Sequence, residues 1–460
     1  MKNVLNLTFL GLFLASCAGT SVKNEPKASA IVESTLKTVL DNGLTVVIVP
    51  NHKLPIVAYY TLFDVGGRYE TKGTTGATHF LEHMMFKGAK KYGPGEFDRF
   101  IDKNGGSNNA YTTFDHTVYH EVIPSSALDQ LIDIESDRFA NLALENESFE
   151  SERKVIFEER KMRYENSPDG MLYLTMMKKI FEKTPYGQSV IGDEEDLKVL
   201  TRDHVMDFFK TFYTPDNSII VIAGDVNPKI TLEKIKEKYG AIPRSKTLAK
   251  LKSERDDQKN YQFVGELNKE YKLVGTNQNP KFMLAFRGDK SGLRRDFVID
   301  LMSSMLSNGG SSYLIQKYVE NEKPVLQDIN LSNQNMKNSG VITFSGEIID
   351  GGNLEQFKEN FFKDLPSFCT EGLNERALQK AKNQILASGY EHLKTNDGMA
   401  SHYVSNEAVY HDYNYGKKEL EIYLSVKLNE VVEVCHELMK PEKGIFLSIW
   451  SKNNKMSESK

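Results

Sequence analysis

Two histidines one helical turn apart enclose a glutamate in the run His79-Phe80-Leu81-Glu82-His83. On a helix, residues i and i+4 stack on one face and i+3 lies on the same side, so both imidazoles and the carboxylate would face the same way. This is the H-x-x-E-H order of the inverted zinc motif. Two neutral imidazole nitrogens suit a borderline cation such as zinc at about 2.0–2.1 Å, and a catalytic site of this kind takes one more protein ligand while keeping a position open to water. Glu82 is placed to be the general base, taking a proton from that water and returning it to a departing amine. On these five residues alone, a surface helix with ordinary polar side chains stays open as the alternative.

The three cysteines, Cys17, Cys369 and Cys435, form no C-x-x-C pair, so a metal site must use histidine and carboxylate. A long amphipathic helix expected over residues 147–164 offers the third ligand. Glu152, Val155, Ile156, Glu159 and Met162 share a face there, because i, i+3, i+4 and i+7 stack. Glu159 is thus a carboxylate on a mostly apolar stripe, whereas Glu158 follows Ser151 and Lys154 on a solvated face. A buried carboxylate needs a cation. Glu152, one repeat earlier, would orient a histidine or the water from behind. His116 and His120 also stand four apart, but the surrounding Thr, Val, Tyr and Phe residues read as strand. Four residues of strand span about 13 Å, too far to chelate one ion.

The elements that must carry these residues fall into two similar halves. Residues 36–50 read as strand, Asn42-Gly43 turn and strand, and a second strand stretch covers 57–65. Helices are expected from Ala77, over 95–103, 128–142 and 147–164, with strands over 109–122 between them. The second half starts again with strands at 261–274 and 282–287 and a helix over 294–306, so each half reads as α+β. The expected division is an export signal at 1–16, a tether at 17–34, a zinc-bearing domain at 35–245, a Lys-rich linker at 246–260, a related domain without zinc at 261–452, and a polar tail at 453–460.

At 460 residues the chain is long enough for two or three domains, each with its own core. A formal charge of -5 lacks the basic surplus that phosphate binding demands, which argues against nucleic acid as a partner. Beyond the first twenty residues no apolar run approaches the length of a membrane span. Met1-Lys2 followed by the apolar Val4 to Leu14 and by Leu14-Ala15-Ser16-Cys17 reads as a bacterial export signal. Small residues before a cysteine resemble a lipobox, which makes Cys17 the expected site of lipidation. Ala18 after it resembles sorting to the outer membrane, so the body is expected in the periplasm on a lipid anchor. Cys369 and Cys435 are expected as structural thiols, with a disulfide between them as the alternative in an oxidising compartment.

Four motifs occur in order: Gly66-Gly-Arg-Tyr-Glu-Thr, Gly76-Ala-Thr-His-Phe-Leu-Glu-His-Met-Met-Phe-Lys-Gly88, Gly105-Gly-Ser-Asn-Asn-Ala-Tyr-Thr-Thr, and Glu152-Arg-Lys-Val-Ile-Phe-Glu-Glu159. Together they resemble the pitrilysin and insulin-degrading-enzyme family, in particular its short-chain branch with the mitochondrial processing peptidases and bacterial periplasmic homologues. The resemblance implies two homologous α/β-sandwich domains, each a mostly antiparallel sheet with helices packed on it, forming half of a clam-shell chamber. It implies one zinc ion per chain on His79, His83 and Glu159, with Glu82 as base and Glu152 in support. Asn109 and Ala110 match the edge-strand segment that pairs with substrate backbone, a means of holding any peptide regardless of sequence. The activity implied is a zinc metalloendopeptidase acting on peptides or unfolded segments; the alternative is a non-catalytic scaffold subunit of an envelope complex.

The family's second domain commonly presents an Arg and, seven residues later, a Tyr that steady the oxyanion. In this chain those positions fall on Val319 and Leu326, no Arg occurs between Arg295 and Arg376, and the second half has no H-x-x-E-H. The expectation is a heterodimer in which a related subunit supplies the missing pair; divergence with Lys317 or Lys323 as substitute is the alternative.

Overall fold

The computed structural model describes residues 35–261 and 265–451. The expected export signal, the lipidation site Cys17, the tether and the polar tail lie outside the described residues. In the first half, β1 (Leu36–Val39) and β2 (Thr45–Pro50) form a hairpin, followed by β3 (Ile56–Phe63), α1 (Ala77–Met84), α2 (Glu96–Lys103), β4 (Ser107–Thr112) and β5 (Thr117–Pro124). Then come α3 (Leu128–Asn141), α4 (Asn146–Arg160), α5 (Pro168–Ile180), α6 (Glu194–Val199), α7 (Arg202–Phe212), β6 (Ser218–Gly224), α8 (Pro228–Tyr239) and α9 (Leu248–Arg255). Gly43 carries the hairpin turn with φ of 91°, in the left-handed region where glycine is strain-free.

The second half runs β7 (Lys269–Gly275), β8 (Lys281–Gly288), α10 (Arg294–Ser307), α11 (Tyr313–Tyr318), β9 (Leu326–Asn335) and β10 (Gly340–Ile348). It ends with α12 (Leu354–Thr370), α13 (Glu375–His392), α14 (Asn396–Tyr410), α15 (Gly416–Ser425), α16 (Leu428–Leu438) and β11 (Gly444–Ser451). The sheet orders are β1-β2-β6-β3-β5-β4 and β7-β11-β8-β10-β9. Setting β1 aside, both sheets place their strands in the order first, last, second, fourth, third. Each has one parallel pair, β2 with β6 and β7 with β11, the other pairings being antiparallel. This repeat is the α+β pair of related halves that the sequence pattern implies.

Strands alternate their side chains between faces, and both faces of each sheet are covered. In the first sheet Val46, Ile48, Val57 and Tyr59 pack under the half's own helices. Val47, Val49, Ala58 and Tyr60 face away and meet Met399, Ala400, Tyr403 and Val404 of α14, a helix of the second half. The converse holds across the molecule: Leu172, Met176 and Ile180 of α5 pack on Met283, Ala285 and Leu447 of the second sheet. Each half therefore lends one helix to the other, and neither sheet is buried on both faces without its neighbour.

Two expectations are corrected, and the linker gains structure. The stretch 246–260, expected as a Lys-rich linker, joins the two halves and is itself folded: α9 lies within it, Leu248 is buried, Lys252 pairs with Asp64, and Asp256 pairs with the fully buried Arg68. Cys369 and Cys435 are joined as a disulfide rather than free thiols, with Cα atoms 5.6 Å apart across a sequence separation of 66. Both are buried where α12 packs on α16, a juxtaposition that local composition does not reveal. On α4 and the π-helical turn Lys161–Glu165 that follows it, Glu152 and Ile156 are buried as the stripe requires, but Val155 and Met162 are 47% and 67% exposed. Helical period identifies a shared face but not how much of that face meets the core.

Candidate metal centre

Helix α1 starts on Gly76, whose φ of 87° lies in the left-handed region. A Cβ there would stand 2.7 Å from the Ile191 carbonyl oxygen and 2.8 Å from Gly192 Cα, so only glycine fits. The orphan amides of the first turn are met by a side chain from outside the helix. Glu70 accepts from Gly76 N–H through Oε2 and from Thr78 N–H through Oε1, both at 2.7 Å. A carboxylate at a helix N-terminus also complements the macrodipole. Burial pushes the Glu70 carboxyl up to about 8, against the pull of those donors.

On this anchored helix His79 and His83 point at Glu159, which sits in the last turn of α4 just before the π-helical turn. Glu159 Oε2 lies 3.6 Å from His79 Nε2 and 3.3 Å from His83 Nε2. Among the described residues, His79, His83 and Glu159 are the one group of three or more His, Cys, Asp or Glu side chains spaced to hold a metal ion, with candidate donor atoms all within 4.8 Å of one another. His83 Nδ1 is 3.1 Å from Glu152 Oε2, and Lys87 Nζ is 2.7 Å from Glu152 Oε1. This fixes the imidazole with Nε2 toward Glu159. His79 Nδ1 is buried without a hydrogen-bond partner, a costly state for a core histidine. Two imidazoles and one carboxylate fit a borderline divalent cation better than a hard one, which prefers oxygen ligands throughout.

The electrostatics favour the same reading. Burial, with His83 beside it, holds His79 down to about 4, so it is neutral near pH 7. Burial also lowers His83, but its bonds to Glu159 and Glu152 outweigh this and raise it. The His83 bond, then His79 and Arg163, keep Glu159 below the usual carboxylate range despite burial. Glu82 is raised by burial, with the Thr112 hydroxyl opposing. That hydroxyl donates to Glu82 Oε2, and Arg163 Nε reaches Glu159 Oε1 at 2.9 Å.

Strand β4, which carries Thr112, is the edge of the first sheet, so among the described residues one side of its backbone has no neighbouring strand. Ala110 N–H donates to the Asn109 side-chain oxygen at 2.9 Å. The structure thus brings Asn109 and Ala110 onto the edge strand whose end touches Glu82. Glu158 points elsewhere, into an exposed pair with Lys161. His120 stacks on Tyr60 with ring centroids 4.8 Å apart, and His116 meets Tyr111 edge-on, both in packing roles. At the positions expected for an Arg and a Tyr, Val319 follows α11 and Leu326 is buried in β9. Lys317 is committed to Asp364 at 3.2 Å.

Sequence reasoning assigned no role to Glu70, Lys87, Thr112 or Arg163. Arg163 was within reach of the i, i+4 rule from Glu159. Glu70, Lys87 and Thr112 lie inside the quoted motifs, but their contacts depend on tertiary placement.

Known proteins place this geometry in a family. The model described as "Insulinase (Peptidase family M16)" matches residues 45–194, and "Peptidase M16 inactive domain" matches residues 200–385. The zinc protease PqqE of Helicobacter pylori is 27% identical over 413 residues, covering 87% of this chain and 89% of the relative. A probable mitochondrial-processing peptidase subunit beta of Arabidopsis thaliana is 27% identical over 317 residues, covering 67% of this chain and 58% of that protein. The crystal structure of a protease from Helicobacter pylori superposes with a TM-score of 0.80 at 24% identity, covering 90% of this chain and 99% of that one. With matching models in both halves, the chain belongs to the insulinase (M16) family of peptidases.

Proposed function

We propose that the chain is a zinc-dependent endopeptidase for peptides or unfolded polypeptide segments. The observation that carries this is the convergence of His79, His83 and Glu159 beside Glu82 and an edge strand. His79 and His83 through Nε2 and Glu159 through Oε2 would hold one zinc ion per chain. When bound, such an ion polarises the scissile carbonyl and acidifies water. Glu152 orients His83 through Nδ1, and Glu70 holds the start of the helix on which both histidines ride. Thr112 engages Oε2 of Glu82, leaving Oε1 to take a proton from the attacking water and pass it to the leaving amine. The open side of β4 at Asn109 and Ala110 would pair with substrate backbone as an added strand, which selects for extended chains rather than folded proteins.

The two related halves would form half of a chamber, and a related subunit bearing the Arg and Tyr would complete it. Val319 and Leu326 at the positions expected for that pair support this division of labour, since oxyanion donors commonly carry a large share of the rate. The Cys369–Cys435 disulfide supports an oxidising compartment, in keeping with export and a lipid anchor on Cys17 at the envelope membrane. Purified chain is expected to bind zinc yet cleave peptides poorly until an Arg/Tyr-bearing relative is added. Full activity of the chain alone, unchanged by such a subunit, contradicts the heterodimer. Stoichiometric zinc with no peptidase activity under either condition supports the scaffold alternative.

A further inference from the structure

The helix that carries Glu159 does not end in a regular turn. Asn166 N–H reaches the Lys161 carbonyl at 2.7 Å, the five-residue spacing of a π-helical turn, and such widened turns recur at functional sites. The turn is held firmly, because α5 packs so close that a Cβ on Gly170 would stand 1.9 Å from the Arg163 carbonyl oxygen. Its neighbouring cations are committed elsewhere. Arg160 meets the Gly192 carbonyl at 2.9 Å and Glu165 at 3.2 Å, and Lys161 meets Glu158 at 2.7 Å. Arg163 differs from both. Its Nε lies 2.9 Å from Glu159 Oε1, its side chain is 61% exposed, and Glu159 is its one partner among the described residues. A guanidinium carries five N–H donors in a fixed fork, so most of them are left over.

Arg163 stands in the wall of a cavity of about 220 Å³ that it shares with His79 and with Thr112 and Thr113 at the end of the edge strand. No Asp or Glu lines that cavity, and Arg163 is its one permanently charged residue. A substrate laid along β4 with its scissile bond at the metal centre would bring a neighbouring group within reach of the guanidinium. A lysine or arginine there would meet a like charge with no carboxylate to receive it. A neutral group would leave the spare donors to water, whereas a carboxylate would take them in a charge-assisted, two-point pair. We propose that Arg163 is a specificity-determining residue that binds a carboxylate of the substrate close to the cleaved bond. That carboxylate comes from an acidic side chain or from the free C-terminus of a short peptide, and the same fork serves both. The inference rests on the peptidase reading and deepens it by naming the charge of the substrate.

The test uses the full chain carrying Glu82→Gln, saturated with zinc, and fluorescent peptides of alanine and leucine whose affinity is read by anisotropy. In one series, amidated at the C-terminus, a single Glu or Gln is moved along the peptide. In the other, with neutral side chains throughout, peptides of graded length end in a free carboxylate or an amide. At one position Glu should bind about tenfold or more tighter than Gln, or at one length the acid tighter than the amide by the same factor. The series that responds identifies the source of the carboxylate. Arg163→Gln should erase the difference while neutral peptides bind as before, and Arg163→Lys, a point charge in place of the fork, should keep part of it. A response in neither series overturns the subsite. So does an equal loss of acidic and neutral peptides in Arg163→Gln, which marks a residue that only steadies Glu159. Cleavage of a peptide library by the chain with Glu82 intact, with the Arg/Tyr-bearing subunit added, reports separately on the peptidase reading. Cleavage without carboxylate preference sinks the subsite alone, and carboxylate preference in binding without cleavage sinks the chemistry alone.

Discussion

At the scale of residues, the centre is defined by which nitrogen and which oxygen each side chain presents. Glu152 takes His83 Nδ1 and thereby leaves Nε2 for the cation site, while Glu159 divides its oxygens between the two imidazoles and Arg163. Glu159→Gln should abolish stoichiometric zinc binding, because an amide is a far weaker ligand than a carboxylate, whereas Glu158→Gln, on the exposed side of α4, should leave it intact; metal analysis of dialysed protein reads both. This much was legible in the sequence. Residues 79, 82 and 83 announce themselves by local spacing, and helical period separates residue 159 from residue 158. The supporting shell was not legible, because Thr112, Lys87 and Glu70 meet their partners through contacts between elements that the sequence does not pair. The same period overstated the burial of Val155 and Met162, since it cannot tell a core from an open flank.

Elements position the site through two constraints at the start of α1, a glycine that must adopt positive φ and a buried carboxylate that caps the first turn. Gly76→Ala would add strain at φ of 87° and drive a methyl group into the Ile191 carbonyl. We expect a loss of about 1–3 kcal/mol in stability. A drop in zinc affinity should accompany it, read by thermal unfolding and by competition with a chelator. Unchanged melting and unchanged affinity would show that the helix start is not under this constraint. The hairpin with its Asn42-Gly43 turn and the long helices were recognisable from turn chemistry and amphipathic period. The exchange of α5 and α14 between halves was not. Each reads as an ordinary amphipathic helix, and nothing local says which sheet its apolar face will meet. The fully buried strand β6 likewise carries no alternation to signal its place at the centre of the sheet.

On the scale of the whole molecule, the halves are tied by the exchanged helices and by a charged junction. Asp64 pairs with Lys252 of α9 and, at 3.1 Å, with Lys337 of the second half, while the Lys337 backbone donates to Asp115 at 3.0 Å. Burial alone would raise Asp64, but the two ammonium groups outweigh it and hold it well below the usual carboxylate range. A depressed folded-state pKa stabilises the protein fully above the ordinary value of about 3.9 and loses that contribution as pH falls below it. Acid melting should therefore steepen below about pH 4, and Asp64→Asn should be less stable at neutral pH with a flatter profile over that acid range. An unchanged profile would remove Asp64 from the junction's acid response. The most direct measurement of the account as a whole pairs zinc content with peptide hydrolysis on the same preparations of the unmodified chain and of Glu82→Gln, each with the Arg/Tyr-bearing subunit added. The account predicts one zinc ion per chain in both and turnover lower by several orders of magnitude in Glu82→Gln, as expected when a general base is removed from a metal-assisted hydrolysis. Near-equal peptidase activity in the two, with zinc equally bound, would contradict it.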